Sequence, residues 1–259
     1  MLVQYEVSES GLGTLTLERA DKLNALSAQL VQETTALLEK AALDATQGKL
    51  RVLILRSSTP KAFCVGADLS ERLKMDEGQV LGALDGLARL TTAAEALSCP
   101  TIAVVEGAAF GGGLELALCC DLRVMTPASS VGLTETRLAI IPGAGGTQRL
   151  ARLVGVAKAM ELILAAKRIG GEEAARIGLA NVCVDDALSW ARDFAQACLE
   201  AGPVALLAAK EAIRRGYAEP LKRGLQIERE QYGRVLKTQD RIEGLKAFSE
   251  KRSPRYQGK

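Results

Sequence analysis

The stretch Val105-Glu106-Gly107-Ala108-Ala109-Phe110-Gly111-Gly112-Gly113-Leu114-Glu115-Leu116-Ala117-Leu118 decides how the rest of the chain is read. Thr101 to Val105, after Pro100, is a β-branched run that predicts a strand, and Leu114 to Cys120 predicts a buried helix. Between them three glycines turn the chain. Glycines at a helix start let the backbone approach a bound group closely, with free N–H donors and the positive end of the helix dipole behind them. Such a turn suits an oxygen that carries negative charge; close helix–strand packing explains the same glycines without a ligand. Glu115 sits in the first turn of an otherwise apolar helix. A carboxylate there needs a partner or a task, although the dipole alone also favours an acid in that turn.

Upstream, Val3 to Val7 and Thr14 to Leu17 read as a hairpin joined by Ser8 to Gly13. Ser27 caps a helix with apolar positions Leu30, Val31, Leu37, Leu38, Ala41 and Ala42, which leads to a buried strand, Arg51 to Arg56. That order predicts a β-α-β crossover. Next comes a small-residue turn, Lys61-Ala62-Phe63-Cys64-Val65-Gly66-Ala67-Asp68-Leu69. An amphipathic helix from Gln79 to Ser98 then ends at Cys99-Pro100. Downstream of the central segment, Asp121 to Met125 is a further strand. The Gly-rich run Ile141 to Arg149 lacks both the phosphate-loop and the dinucleotide spacing. From Val156 the pattern is helical, interrupted by Gly170-Gly171, a short strand Ala180 to Val184, Gly202-Pro203 and Glu219-Pro220. The fold class is α/β, with a core over 1–195 and a helical C-terminal subdomain over 196–259.

The 259 residues, 48% hydrophobic and 25% charged, are enough for a sizeable core, and a net charge of +2 gives no bulk field for nucleic acid or membrane. Histidine is absent. This removes Ser-His-Asp and Cys-His arrangements, so proton transfer falls to Glu, Asp, Lys or Tyr. The six cysteines show no Cys-x-x-Cys spacing and read as small buried hydrophobes of a reducing compartment. Cys64, without a base beside it, reads as packing rather than as a nucleophile. There is no apolar run long enough to span a membrane and no leader pattern, so the expected location is cytoplasmic, or the mitochondrial matrix if the chain is a processed form.

Three segments, Phe63 to Leu69, Gly111 to Ala117 and Ile141 to Leu150, resemble the enoyl-CoA hydratase/isomerase (crotonase) superfamily in residues, order and separation. Lys22-Leu23-Asn24-Ala25-Leu26 and Glu243 to Arg252 match as well, so the resemblance spans the chain. Gly66-Ala67-Asp68-Leu69 with Glu71-Arg72, and Gly113 to Leu118, look most like the branch containing methylglutaconyl-CoA hydratase, also described as an AU-specific RNA-binding hydratase. Val65, where Ala is usual, and Ala20, where many members have Pro, are departures that leave the chemistry untouched.

The resemblance implies a crotonase-like spiral of β-β-α units, assembled as a homotrimer or a dimer of trimers, acting on an acyl-CoA thioester. Coenzyme A is part of the substrate, and no metal or redox cofactor is called for. Ala67 and Gly112 match the backbone donors of the family's oxyanion hole, and Glu115 and Glu135 match its two catalytic carboxylates. Gly143 matches a glycine near the site. Lys22, Leu23, Ala25, Val65, Ala67, Asp68, Leu69 and Ser70 match the segments that line the CoA arm. Tyr232, Phe248 and Lys251 match C-terminal positions that reach a neighbouring subunit's CoA. Asp68 serves equally as a helix cap, and Lys251 equally as one charge of the solvated run Glu250-Lys251-Arg252. The implied activity is reversible syn hydration of a 2-enoyl-CoA, including a branched substrate such as 3-methylglutaconyl-CoA, with 3,2-enoyl-CoA isomerase as the alternative. The acyl pocket is expected on the Met75 to Leu87 segment. RNA binding is disfavoured: the helix from Ser27 to Thr46 carries Lys40 against Glu33, Glu39 and Asp44, without the basic stripe that phosphates need.

Overall fold

The computed structural model describes residues 1–259. A hairpin, β1 (Val3–Val7) and β2 (Leu12–Leu17), leads to α1 (Ala28–Thr46), β3 (Val52–Ser57), β4 (Ala62–Cys64), the single turn α2 (Leu69–Arg72) and α3 (Glu77–Glu95). The central segment is β5 (Thr101–Val105), β6 (Ala108–Phe110) and α4 (Gly112–Leu118), followed by β7 (Leu122–Met125), β8 (Ser130–Gly132), α5 (Gly146–Val154) and α6 (Val156–Leu164). Then come β9 (Ile169–Gly170), α7 (Gly171–Arg176), β10 (Val182–Cys183) and four helices, α8 (Ala187–Leu199), α9 (Pro203–Tyr217), α10 (Leu221–Leu236) and α11 (Gln239–Ser249). No helix is long and apolar enough to cross a membrane.

Two sheets carry this order. The larger runs β1-β2-β3-β5-β7-β10 and the smaller β4-β6-β8-β9. β1 and β2 are antiparallel, and every other pairing in the large sheet is parallel. The chain therefore repeats one step, a strand in the large sheet, a short strand in the small sheet and then a helix: β3-β4-α3, β5-β6-α4 and β7-β8-α5. Each step lays its strands beside those of the step before, which is the expected crotonase-like spiral of β-β-α units. The first strands begin at residues 52, 101 and 122, and this uneven spacing leaves no period in the sequence.

The run of apolar residues in β3, β5 and β7 follows from burial on both faces. Leu53, Leu55, Ala103, Val105 and Met125 point into the main core with α1, α3 and α4. Their neighbours Val52, Ile54, Ile102, Val104 and Val124 point the other way, onto Ala187, Ala191, Ala195 and Cys198 of α8. The expected boundary after residue 195 thus falls inside a helix that covers the large sheet. α9 is tied to the same body: Lys210 Nζ reaches Asp121 Oδ2 and the Cys99 carbonyl oxygen, each at 2.6 Å.

Several local expectations are corrected. The segments 62–64 and 108–110, read as turn, are strands of the small sheet. β2 begins at Leu12 rather than Thr14, because Gly11 closes the turn with a hydrogen bond to Ser8. α4 starts at Gly112, two residues before the expected Leu114, because Gly111 is its cap. Cys183 is only half-buried, since β10 is the edge strand of the large sheet; the other five cysteines are buried and all six are free.

α4 packs closely over the small sheet. A Cβ at Gly113 would lie 2.1 Å from the backbone oxygen of Cys64 in β4, so backbone would have to move. Gly113→Ala is therefore expected to destabilise the protein by about 1–3 kcal/mol, the ordinary range for overpacking. A lowered urea midpoint with unchanged slope would show this, and a wild-type midpoint would contradict the packing.

Candidate active site

The site is assembled where the ends of the spiral's repeats meet. Asn24 is completely buried: its Nδ2 donates to Ser57 Oγ and to the Phe63 carbonyl oxygen, and its Oδ1 accepts from Arg19 N–H. Arg19 in turn bonds the Ala25 carbonyl oxygen and pairs with Asp68 at 2.8 Å. These contacts clamp the 22–26 loop to the 65–68 loop. Leu26 N–H donates to Gly66 O, and Asp68 N–H donates to Leu26 O. In this parallel bridge Leu26 is bonded to the residues on either side of Ala67, so the Ala67 N–H faces the opposite way.

The second donor comes from the central turn. Gly112 is the first residue of α4, so its N–H has no partner within the helix. Neither this N–H nor that of Ala67 donates to any other group in the chain. Gly66, at φ +91°, brings the two together: a Cβ built on it would lie 2.8 Å from Phe110 O and 3.5 Å from Gly112 N. Two free N–H donors on adjoining loops, one at a helix start, form a receptor for an oxyanion.

Two carboxylates flank the same turn. Glu115 is 2% exposed. Its Oε1 accepts from Ala144 N–H at 2.8 Å and from Gly146 N–H at 2.7 Å, which leaves Oε2 without a hydrogen bond. Burial raises its pKa, opposed by the two N–H donors and by Arg149. Glu135 lies on a 3-10 turn (Glu135–Leu138), with Oε1 3.1 Å from where a Gly111 Cβ would be. Its Oε2 is buried and accepts no hydrogen bond. Burial, opposed by its own backbone N–H and reinforced by the charge of Glu115, pushes Glu135 up to about 7. Burial raises both acids, and they differ in what opposes it: two loop N–H groups and Arg149 at Glu115, its own backbone N–H alone at Glu135. Glu115 has donors that fit a carboxylate, and Glu135 keeps its proton into the neutral range.

All of this opens on one cavity of about 1820 Å³. Among the residues expected from the sequence, Lys22, Ala25, Val65, Ala67, Asp68, Leu69, Ser70, Gly112, Glu115, Glu135 and Gly143 line it. Val80, Leu84 and Leu87 of α3 form an apolar wall, on the segment expected to shape the acyl pocket. Met75 lines a separate, smaller cavity instead. Leu23 is not part of the wall: it sits in a left-handed turn with its side chain outward. Tyr232, Phe248 and Lys251 lie on or after α10 and α11, exposed and outside this chain's cavity. Asp68 is the cap of α2, held at about 2 by the Ser70 hydroxyl and then by Arg19. Burial pushes the Cys64 thiol up to about 12, which suits packing. Lys40 stands 5.6 Å over the Tyr5 ring, the lone cation of α1. Asn24, Arg19 and Arg149 were missed as supports of the site; the only signal for Asn24 and Arg149 was their place inside matched motifs.

Two unpartnered N–H donors facing two buried carboxylates can stabilise a developing oxyanion and move protons on the adjoining carbons. The chain is a member of the enoyl-CoA hydratase/isomerase family, whose model matches residues 7–259. It is 45% identical over 253 residues to the probable enoyl-CoA hydratase 2, mitochondrial, of Arabidopsis thaliana, covering 97% of this chain and 83% of that protein. It is 44% identical over 261 residues to the human methylglutaconyl-CoA hydratase, mitochondrial, covering 98% and 76%. The crystal structure of an enoyl-CoA hydratase from Bacillus anthracis superposes with a TM-score of 0.96 at 42% identity over the whole of both chains. The chain is accordingly an enzyme of the hydro-lyase kind.

The raised pKa of Glu135 has a consequence for stability. Between its ordinary value of 4.5 and about 7 the native state holds a proton that the unfolded chain has released. That contribution is lost as pH rises through this window. Glu135→Gln cannot titrate, so the variant is expected to gain stability relative to wild type from pH 4.5 to 7 and to hold that gain above it. Chemical denaturation across this pH series checks the sign, and a pH-independent difference would contradict it.

Proposed function

We propose that the enzyme catalyses reversible syn addition of water across the 2,3 double bond of a 2-enoyl-CoA. The observation that carries the reading is the division of labour between Glu115 and Glu135 beside two unpartnered N–H groups. A conjugated thioester becomes electrophilic at Cβ as negative charge collects on its carbonyl oxygen. The N–H groups of Ala67 and Gly112 receive that charge, each worth about 3 kcal/mol in comparable sites. Glu115, its Oε1 anchored, uses Oε2 to orient a water and take its proton. Glu135, still protonated near neutral pH, delivers its own proton to Cα. Both acids lie beside the Gly111-Gly112 turn, which suits delivery of one hydrogen to Cα and the hydroxyl to Cβ on one face.

A 3,2-enoyl isomerase relocates a single proton and manages with Glu135 alone, so the anchored Glu115 favours hydration. Branched substrates such as 3-methylglutaconyl-CoA are supported by the names of the mouse, rat and human relatives. Coenzyme A enters as part of the substrate, along the loops of Lys22 to Ala25 and Val65 to Ser70. Buried free thiols and mitochondrial relatives support a reducing compartment, cytoplasm or mitochondrial matrix. RNA binding finds no basic stripe on α1, which carries Lys40 against Glu33, Glu39 and Asp44. The division we adopt keeps a core and an appended helical part but moves the boundary from residue 195 to the end of α8 at Leu199, because α8 completes the core.

Glu115→Gln and Glu135→Gln are each expected to lower hydration by several orders of magnitude with little change in CoA-ester affinity. Gly112→Pro is the matching test of the donor, because proline is tolerated at the first helical position and removes the N–H, its ring also entering the donor's space with a Cβ 3.0 Å from Leu26 Cδ1. It should cost about 100-fold or more in kcat. Steady-state turnover of crotonyl-, methylcrotonyl- and 3-methylglutaconyl-CoA with labelled water checks all three. Wild-type hydration by Glu115→Gln, or double-bond migration without label uptake, would replace this reading with isomerisation.

The assembly we propose is a homotrimer or a dimer of trimers. The helices α9 to α11 leave Ile213, Tyr217, Leu221, Tyr232, Leu245 and Phe248 largely exposed, more apolar surface than a monomer ordinarily presents together. Tyr232, Phe248 and Lys251 would then meet CoA bound to a neighbour. Sedimentation is expected to show three or six chains, and an active monomer would contradict this.

A further inference from the structure

The cavity wall does not explain why Glu115 is anchored; the explanation lies one layer behind it. Arg149, in the first turn of α5, has its guanidinium on the 143–146 loop. Its Nη1 donates to the Ala144 carbonyl oxygen at 2.8 Å, and a Cβ on Gly145 would stand 2.0 Å from the same nitrogen. The loop is thus closed around the arginine. Arg149 Nη2 pairs with Glu95 Oε2 at 2.7 Å, half-buried on both sides. Glu95 is the last residue of α3, the helix whose Val80, Leu84 and Leu87 wall the cavity, and its carbonyl oxygen accepts from Arg214 of α9. A continuous chain of contacts therefore runs from α3 through Glu95 and Arg149 to Ala144, and from Ala144 N–H to Glu115 Oε1.

We propose that Arg149, braced by Glu95, is the positioning residue that sets both the orientation and the ionised state of Glu115 for the hydration step. This rests on the reading of Glu115 as the base that takes the proton of water. Arg149 touches no reacting atom. It fixes the conformation of Ala144-Gly145-Gly146, and hence the direction of the two N–H groups that hold Oε1. It is also the nearest cation to a carboxylate that burial drives toward the neutral form. The other titratable groups around Glu115 are Glu135 on the 3-10 turn, Cys119 one turn along α4, whose thiol donates to the Glu115 carbonyl oxygen, and Glu95 on α3. None of these is cationic, so Arg149 alone opposes the burial by charge. A lysine could keep the charge, but it lacks the rigid planar fork by which Arg149 spans the Ala144 oxygen and Glu95 from two separate nitrogens.

The test compares Arg149→Met, Arg149→Lys and Glu115→Gln with wild type. Carboxyl ionisation is read directly in the unliganded protein, by infrared or carbon NMR with labelled glutamate, Glu115→Gln supplying the assignment. Arg149→Met is expected to move the Glu115 titration and the acid limb of the kcat–pH profile to higher pH, with kcat down by about 100-fold and KM within a few-fold. Arg149→Lys is expected to return the titration to its wild-type position while recovering only part of kcat. If Arg149→Met lowers kcat with the Glu115 titration unmoved, Arg149 is a structural support only and the proposal is overturned. If Arg149→Met fails to fold, Arg149→Lys decides: full wild-type kcat would show that charge without the fork suffices, and overturn the positioning role. Failure of the hydration reading is separate, since it shows as wild-type hydration in Glu115→Gln whatever Arg149 does to the titration.

Discussion

A carboxylate placed in the first turn of a buried helix is the constraint around which this structure is arranged. Removing Glu115 from water costs several kcal/mol unless hydrogen bonds replace the lost solvent. They come from Ala144 and Gly146, about thirty residues further along the chain. To supply them, the Gly-rich 143–146 loop must lie against α4, α5 must begin at Gly146, and Arg149 must close the loop. The spiral brings these parts together because α4 and α5 end consecutive β-β-α steps. Adjacent steps place adjacent helices side by side, and the helix that ends one lies against the helix that ends the next.

The same geometry accounts for the contrast between the two acids. Glu115 has two donors and a nearby cation, all suited to a negative charge. Glu135, on a short 3-10 turn across the Gly111-Gly112 peptide, has a buried oxygen with nothing to accept from and a negative neighbour. A pair of like acids in one site separates into an ionised and a protonated member when the surroundings differ in this way. The donors at Ala67 and Gly112 stand on loops that the spiral also sets side by side. Oxyanion receptor, base and acid are thus three products of one packing arrangement. Its rigidity derives from buried polar links such as Asn24 to Ser57 and Arg19 to Asp68, rather than from contact with a ligand.

Much of the large sheet could be read directly from residue order. β3, β5 and β7 are apolar and β-branched because both of their faces are buried, and α1 and α3 show a helical stripe with caps at Ser27 and Asp76. The small sheet could not be read in this way. Its strands are two or three residues long, each with a single large apolar residue (Phe63, Phe110, Val131 or Ile169) among small ones, so no period of two can develop to distinguish them from turn. Their extended form is imposed by pairing with strands twenty to forty-five residues away. Helix starts were displaced for a related reason, since at Gly111 the cap is a backbone conformation, not a side chain with a capping oxygen.

By itself the sequence determined the chemistry that is available. Without histidine, proton transfer had to pass to Glu, Asp, Lys or Tyr; glycines at a helix start marked a place for developing charge; and five motifs in one order identified the family, with Glu115, Glu135, Ala67 and Gly112 matching its functional positions. Only the tertiary structure decided what opposes the burial of each acid, since that depends on who donates to each carboxylate, and Ala144, Gly146 and Arg149 carry no mark of it in local sequence. It also decided that Ala67 and Gly112 are free to donate: a backbone N–H is the same at every residue, and whether it is spent depends on the partner that packing brings. Residue type sets what a group can do, whereas proton affinity and hydrogen-bond vacancy are properties of surroundings, which long-range packing alone creates.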